Sequence, residues 1–172
     1  MKKVTALILT GIMLLGCAGT AFAAEAKVTV DGKPVVFTDA KPFVDENGRM
    51  LVPLRPVANA MGLNVEWDGA QQKAIFYRTY TPGVEGVISY GKLVQMAVEF
   101  KIGSPDVAIS GKVQLEPDGM EPIFDGYSMD TAPVVKDGRT YAPLRYLAQS
   151  FGYDVGWDNA TKTVTVENNR MQ

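Results

Sequence analysis

Residues 47–58 of this chain recur, ninety positions on, as residues 137–148. Asn47-Gly48-Arg49-Met50-Leu51-Val52-Pro53-Leu54-Arg55-Pro56-Val57-Ala58 lies over Asp137-Gly138-Arg139-Thr140-Tyr141-Ala142-Pro143-Leu144-Arg145-Tyr146-Leu147-Ala148. The correspondence continues without a gap through Gly62/Gly152, Val65/Val155, Trp67/Trp157, Asp68/Asp158 and Ala70/Ala160. Agreement among side chains of such different size and charge marks a duplicated unit. Whatever the chain folds into must use the same local design twice.

The unit reads directly in terms of backbone chemistry. Asn47-Gly48 and Asp137-Gly138 suit tight hairpin turns, which need positive φ. Met50 to Val52 and Thr140 to Ala142 suit the returning strands. Pro53 and Pro143 end those strands and open helices, where a missing N–H is harmless. Leu54, Val57, Ala58 and Met61 fall at helical spacing, as do Leu144, Leu147, Ala148 and Phe151. Gly62 and Gly152 stand where a left-handed residue closes a helix. The segments from Leu63 to Trp67 and from Tyr153 to Trp157 predict strands, turned by Asp68-Gly69 and Asp158-Asn159 and closed by Lys73 to Tyr77 and Lys162 to Val166. Each unit is thus two antiparallel hairpins packed around a short α-helix, and the chain is predicted to be α+β with two tandem pseudo-repeats. An upstream hairpin also recurs, as Val28-Thr29-Val30-Asp31-Gly32-Lys33 and Val107-Ala108-Ile109-Ser110-Gly111-Lys112. The second copy then carries an insertion near residues 116–127. These readings divide the chain into residues 24–78, a strand-like connection over 79–105 with Gly86 and Gly91 as turn candidates, and residues 106–172.

The chain opens with Met1-Lys2-Lys3, an apolar run from Val4 to Leu15, and the small-residue stretch Ala21-Phe22-Ala23-Ala24. That is the pattern of a secretory signal peptide cleaved after Ala23. The run is too short for a membrane span, which needs about 20 apolar residues. Leu14-Leu15-Gly16-Cys17 offers an alternative, a lipobox in which Cys17 is acylated. Cys17 is the only cysteine and the sequence contains no histidine. The cleaved chain would have no internal disulfide, so its stability must come from packing. It would also lack the commonest general base and the commonest zinc or copper ligand. Calcium, which takes oxygen ligands, stays open. Of 17 basic and 19 acidic residues, the leader holds two lysines and no acid, so the remainder carries a net charge of −4. Nucleic acid is a poor partner for such a chain.

The combination V-x-V-D-G-K, G-R-x-x-x-P-L-R-x-x-A, a following Gly and W-D-x-A, with Met129-Asp130-Thr131-Ala132-Pro133 leading into the second copy, resembles the stalk-domain family named after the N-terminal domain of copper amine oxidases. The resemblance covers nearly the whole chain after the leader. It implies an antiparallel sheet wrapped on helices, in exported bacterial proteins that often stand beside cell-wall modules. It implies no copper and no quinone cofactor, since those belong to other domains of the oxidases. A copper site of three histidines is impossible here.

Among candidate sites, Arg55 and Arg145 stand out because a cation in a helix's first turn opposes the macrodipole. Their functional reading is a carboxylate or sulfate on a ligand. Their structural reading, which the paired retention of Arg, Trp and Asp favours, is an ion pair with Asp68 or Asp158 or stacking on Trp67 or Trp157. Trp67 and Trp157 are possible sugar platforms, but their place at the ends of apolar strands favours the core. Pro53, Leu54, Pro143 and Leu144 complete the structural motif. The insertion holds Glu116, Asp118, Glu121, Phe124, Asp125 and Tyr127. A solvated acidic loop is the expectation, and a private specificity would reside there. No nucleophile elbow, phosphate loop or dinucleotide fingerprint is present. The expected function is therefore a noncatalytic, secreted or wall-associated protein that binds a cell-wall polymer or an envelope protein. A self-assembling surface protein is the alternative, and a carboxylate-dependent glycoside hydrolase a distant third.

Overall fold

The computed structural model describes residues 26–80, 87–88, 91–115 and 119–168. In chain order the elements are β1 (Lys27–Val30), β2 (Lys33–Pro34), β3 (Phe43–Val44), β4 (Met50–Pro53), α1 (Leu54–Ala60), β5 (Asn64–Asp68), β6 (Lys73–Thr79), β7 (Val87–Ile88) and β8 (Gly91–Lys101). They continue with β9 (Asp106–Gln114), β10 (Met120–Ser128), β11 (Val134–Lys136), β12 (Arg139–Ala142), α2 (Leu144–Ser150), β13 (Tyr153–Asp158) and β14 (Thr163–Asn168). The chain is mostly β-sheet with two short helices, an α+β fold.

Local chemistry accounts for the boundaries. Pro53 and Pro143 sit in extended backbone just ahead of α1 and α2. Gly62 and Gly152, at φ of 73° and 76°, turn the chain out of each helix. Asp68 Oδ1 accepts from the Ala70 and Gln71 amides, and Asp158 Oδ1 from those of Ala160 and Thr161, which fixes the two matching hairpin turns.

The strands form three sheets, ordered β13-β14-β1-β2, β10-β9-β8-β6-β5 and β11-β12-β4-β3. Two pairings tie early chain to late chain. β4 runs antiparallel to β12, with Pro53 opposite Tyr141 and Val52 opposite Ala142. β1 runs parallel to β14, from Lys27 opposite Thr163 to Val30 opposite Val166. That parallel pair departs from the purely antiparallel expectation. Each helix turns one apolar face inward, Leu54, Val57 and Ala58 on α1 and Leu144, Leu147 and Ala148 on α2. These join Val28, Val30, Phe76, Phe100, Phe151 and Val166 in one buried cluster. Phe76 and Phe100 meet edge to face at 5.6 Å. Arg78 binds across the cluster, donating to the Met61 carbonyl at the end of α1 and, at 3.1 Å, to the Tyr153 hydroxyl.

The region around the insertion differs from the sequence reading. Ser110-Gly111 is not a turn. Gly111 lies inside β9, opposite Ile123 on one side and Met96 on the other. Nor are residues 120–127 a solvated loop, for they form most of β10, paired with β9 from Met120–Gln114 to Ser128–Asp106. The added residues give β9 a partner strand, so the chain reverses beyond Gln114, where the Leu115 amide donates to the Gly119 carbonyl.

Candidate binding site

A cleft of about 740 Å³ lies beside α1 and the edge strand β5. Leu54, Val65, Ala74 and Phe76 supply its apolar lining, while Arg55, Asn59, Trp67, Arg139 and Thr140 contribute polar or aromatic groups. A second cleft of about 370 Å³ is lined by Pro143, Leu144, Arg145, Gln149, Val155, Gly156, Trp157 and Val164, with Arg49 and Met50. Each lining residue of the smaller cleft has a counterpart ninety positions away lining the larger, as Arg145 has Arg55, Trp157 has Trp67 and Arg49 has Arg139. Each cleft therefore takes one arginine, 49 or 139, from the other stretch of chain.

Both tryptophans are exposed, Trp67 at 42% and Trp157 at 51%, so the core placement favoured by their sequence position is corrected. The reason is geometric. β5 and β13 each end a sheet, so the last aromatic of the strand lies at the rim, with no further strand to cover it.

Arg145 also takes a partner other than those expected. Asp68 and Asp158 are engaged by their own turns. Arg145 instead pairs with Asp130 and lies over the Tyr146 ring, 4.9 Å from its centroid. Arg49 Nε reaches the same Asp130 Oδ2 at 2.6 Å, and the Tyr146 hydroxyl donates to Asp130 Oδ1 at 3.0 Å. Burial alone would raise the Asp130 carboxyl, but hydrogen bonds from Arg145 and Tyr146 and the charges of Arg145 and Arg49 hold it below the usual carboxylate range. In the larger cleft Arg139 pairs with Asp39, while Arg55 is exposed and makes no ion pair among the described residues. Sequence reasoning missed Asp39 and Asp130. Each stands three residues before a proline, Pro42 and Pro133, which was the available signal.

The insertion residues are split by the structure. Glu116 and Asp118 lie outside the described residues, as does the side chain of Glu121. Phe124 is 80% exposed, and Asp125 Oδ1 accepts from the Gly126 amide at 2.7 Å. Tyr127 turns inward: its hydroxyl donates to the Tyr146 carbonyl at 2.7 Å and lies 2.6 Å from Ser150 Oγ. It therefore clamps β10 onto α2. The leader segment and Cys17 also lie outside the described residues. Among the described residues there is no cluster of three or more metal-binding side chains, and no helix long and apolar enough to cross a membrane.

A mostly β protein with two short helices and two clefts of matching design is the class these features define. The chain matches the copper amine oxidase N-terminal domain over residues 29–166, more than half its length, and belongs to that family. It matches no curated protein and no solved structure. The matched domain is not the catalytic part of the amine oxidases.

Proposed function

We propose that this chain is an exported, noncatalytic binding module of the bacterial cell envelope, built from two tandem pseudo-repeats, and that its ligand is a cell-wall polymer. The observation that carries the reading is the pair of matching clefts, each setting a half-exposed tryptophan and an arginine beside apolar walls. Flat aromatic faces next to a few polar groups suit saccharide rings better than they suit catalysis. The signal-peptide pattern supports export, and the absence of histidine supports a noncatalytic role. The test is co-sedimentation of the purified protein with isolated wall sacculi, using Trp67→Ala beside the parent. Saturable sedimentation weakened at least tenfold by the substitution is expected. A parent protein that stays in the supernatant across the titration would overturn the reading and turn attention to an envelope protein.

A further inference from the structure

We propose that the larger cleft binds a saccharide bearing a carboxylate, with Arg55 gripping the carboxylate and Trp67 stacking on the sugar ring. The proposal deepens the wall-polymer reading and rests on it for the setting in which such a saccharide is met.

The molecule contains its own comparison. In the smaller cleft the position of Arg145 is already supplied with a carboxylate, that of Asp130, which Arg49 and the Tyr146 hydroxyl also hold. This shows what the arginine of this design binds when a carboxylate is in reach. In the larger cleft the counterpart Arg139 is taken by Asp39, and Pro56 stands where Tyr146 would supply a hydroxyl. Arg55 is left without an internal carboxylate among the described residues. A planar guanidinium in that state matches a carboxylate from outside, which it takes through two parallel hydrogen bonds.

The other lining groups narrow the ligand. Glu66 also borders the cleft, but side chains alternate along a strand. Val65 and Trp67 stand opposite Phe76 and Ala74, whose side chains are buried, so Glu66 faces the other side of the sheet. There its carboxylate accepts from the Tyr77 hydroxyl at 2.8 Å. Among the described residues, Arg55 is thus the cleft's cation without a carboxylate partner, and the exposed Trp67 indole lines the same cleft. An acidic peptide would satisfy Arg55 but offers no rigid ring to Trp67, whereas a uronic-type sugar offers both. Asn59 adds an amide to the lining, and the volume is in the range of small-ligand sites.

The experiment is a titration of the purified protein with tetragalacturonate, followed by the indole N–H NMR signals of its two tryptophans and by calorimetry. The expected result is a saturating shift of the Trp67 signal. Affinity should fall at least tenfold in Arg55→Gln and at least tenfold with the fully methyl-esterified tetramer. Arg55 is exposed and has no ion pair among the described residues, so this variant should keep the parent's unfolding midpoint. No shift at Trp67, parent-like affinity in Arg55→Gln, or equal affinity for triglutamate would each overturn the proposal. The two readings fail separately. Tetragalacturonate bound through Arg55 without sedimentation on sacculi would sink the wall assignment alone. Sedimentation unaffected by Arg55→Gln, with no tetragalacturonate binding, would sink the carboxylate site alone.

Discussion

At the scale of single residues, Asp130 is held by Arg145, Arg49 and Tyr146 together, and that grip makes a prediction about pH. A carboxyl lowered on folding contributes stability that is present above its unfolded value, about 4, and is lost as pH falls through the lower folded value. Asp130→Asn should therefore be less stable than the parent near neutral pH, and the gap should close as the medium is acidified past the folded value. Urea midpoints measured from about pH 7 to about pH 2 check this, and a gap independent of pH would contradict it. Asp130 also shows how far residues can be read without a structure. Its place three residues before Pro133 is visible in the chain, but its partners come from α2 and from the stretch before β4. A salt bridge between Arg145 and Asp158 looks equally natural until the turn is seen to use up Asp158. Trp67 and Trp157 are a similar case, since period and hydropathy place them on apolar strands but do not reveal that those strands end a sheet.

At the scale of elements, α1 and α2 with the strand before each and the hairpin after it were legible because their boundaries rest on local chemistry. Proline before the helix, glycine after it and aspartate at the turn act within a few residues of themselves. The hairpin read at Ser110-Gly111 was not legible correctly, because its outcome depends on a partner that the other copy lacks. With β10 present, β9 stays extended past Gly111, and the glycine serves close packing instead of a turn. A β-carbon there would lie 2.8 Å from the Gln95 carbonyl oxygen and 2.9 Å from Ile123 Cγ1. Because one obstacle is backbone, Gly111→Ala should cost about 1–3 kcal/mol. Urea unfolding measures this, and a variant as stable as the parent would show that β8 and β10 yield more freely than their pairing implies. Deleting residues 116–127 would remove most of β10 and the Tyr127 clamp on α2, so point substitutions such as Phe124→Ser are the informative probes of that strand.

At the scale of the molecule, the early and late stretches of chain are interleaved. β4 pairs with β12, Arg49 reaches Asp130, Arg139 reaches Asp39, and β1 completes the sheet of β13 and β14. The Asp31 carboxylate adds a further tie, accepting from the Asn168 amide at 2.8 Å. β1 also places Val28 and Val30 in the core. Removing residues 27–30 should thus lower amide-exchange protection of the β14 amides that face β1, and lower the unfolding midpoint of the whole chain. Unchanged protection in β14 would contradict the interleaving. None of this was legible in the sequence, because periodicity specifies elements and not which stretch of chain supplies a partner. The same interleaving builds the clefts, and the most direct test of the account is whether ligand covers the larger one. Since Trp67 and Trp157 are the only tryptophans, Trp157→Phe leaves Trp67 as the single indole reporter. Acrylamide quenching of its fluorescence should be measured as solubilised wall glycan is added. The account predicts saturable protection of Trp67 from quenching. Binding of the glycan with Trp67 still fully quenchable would contradict it.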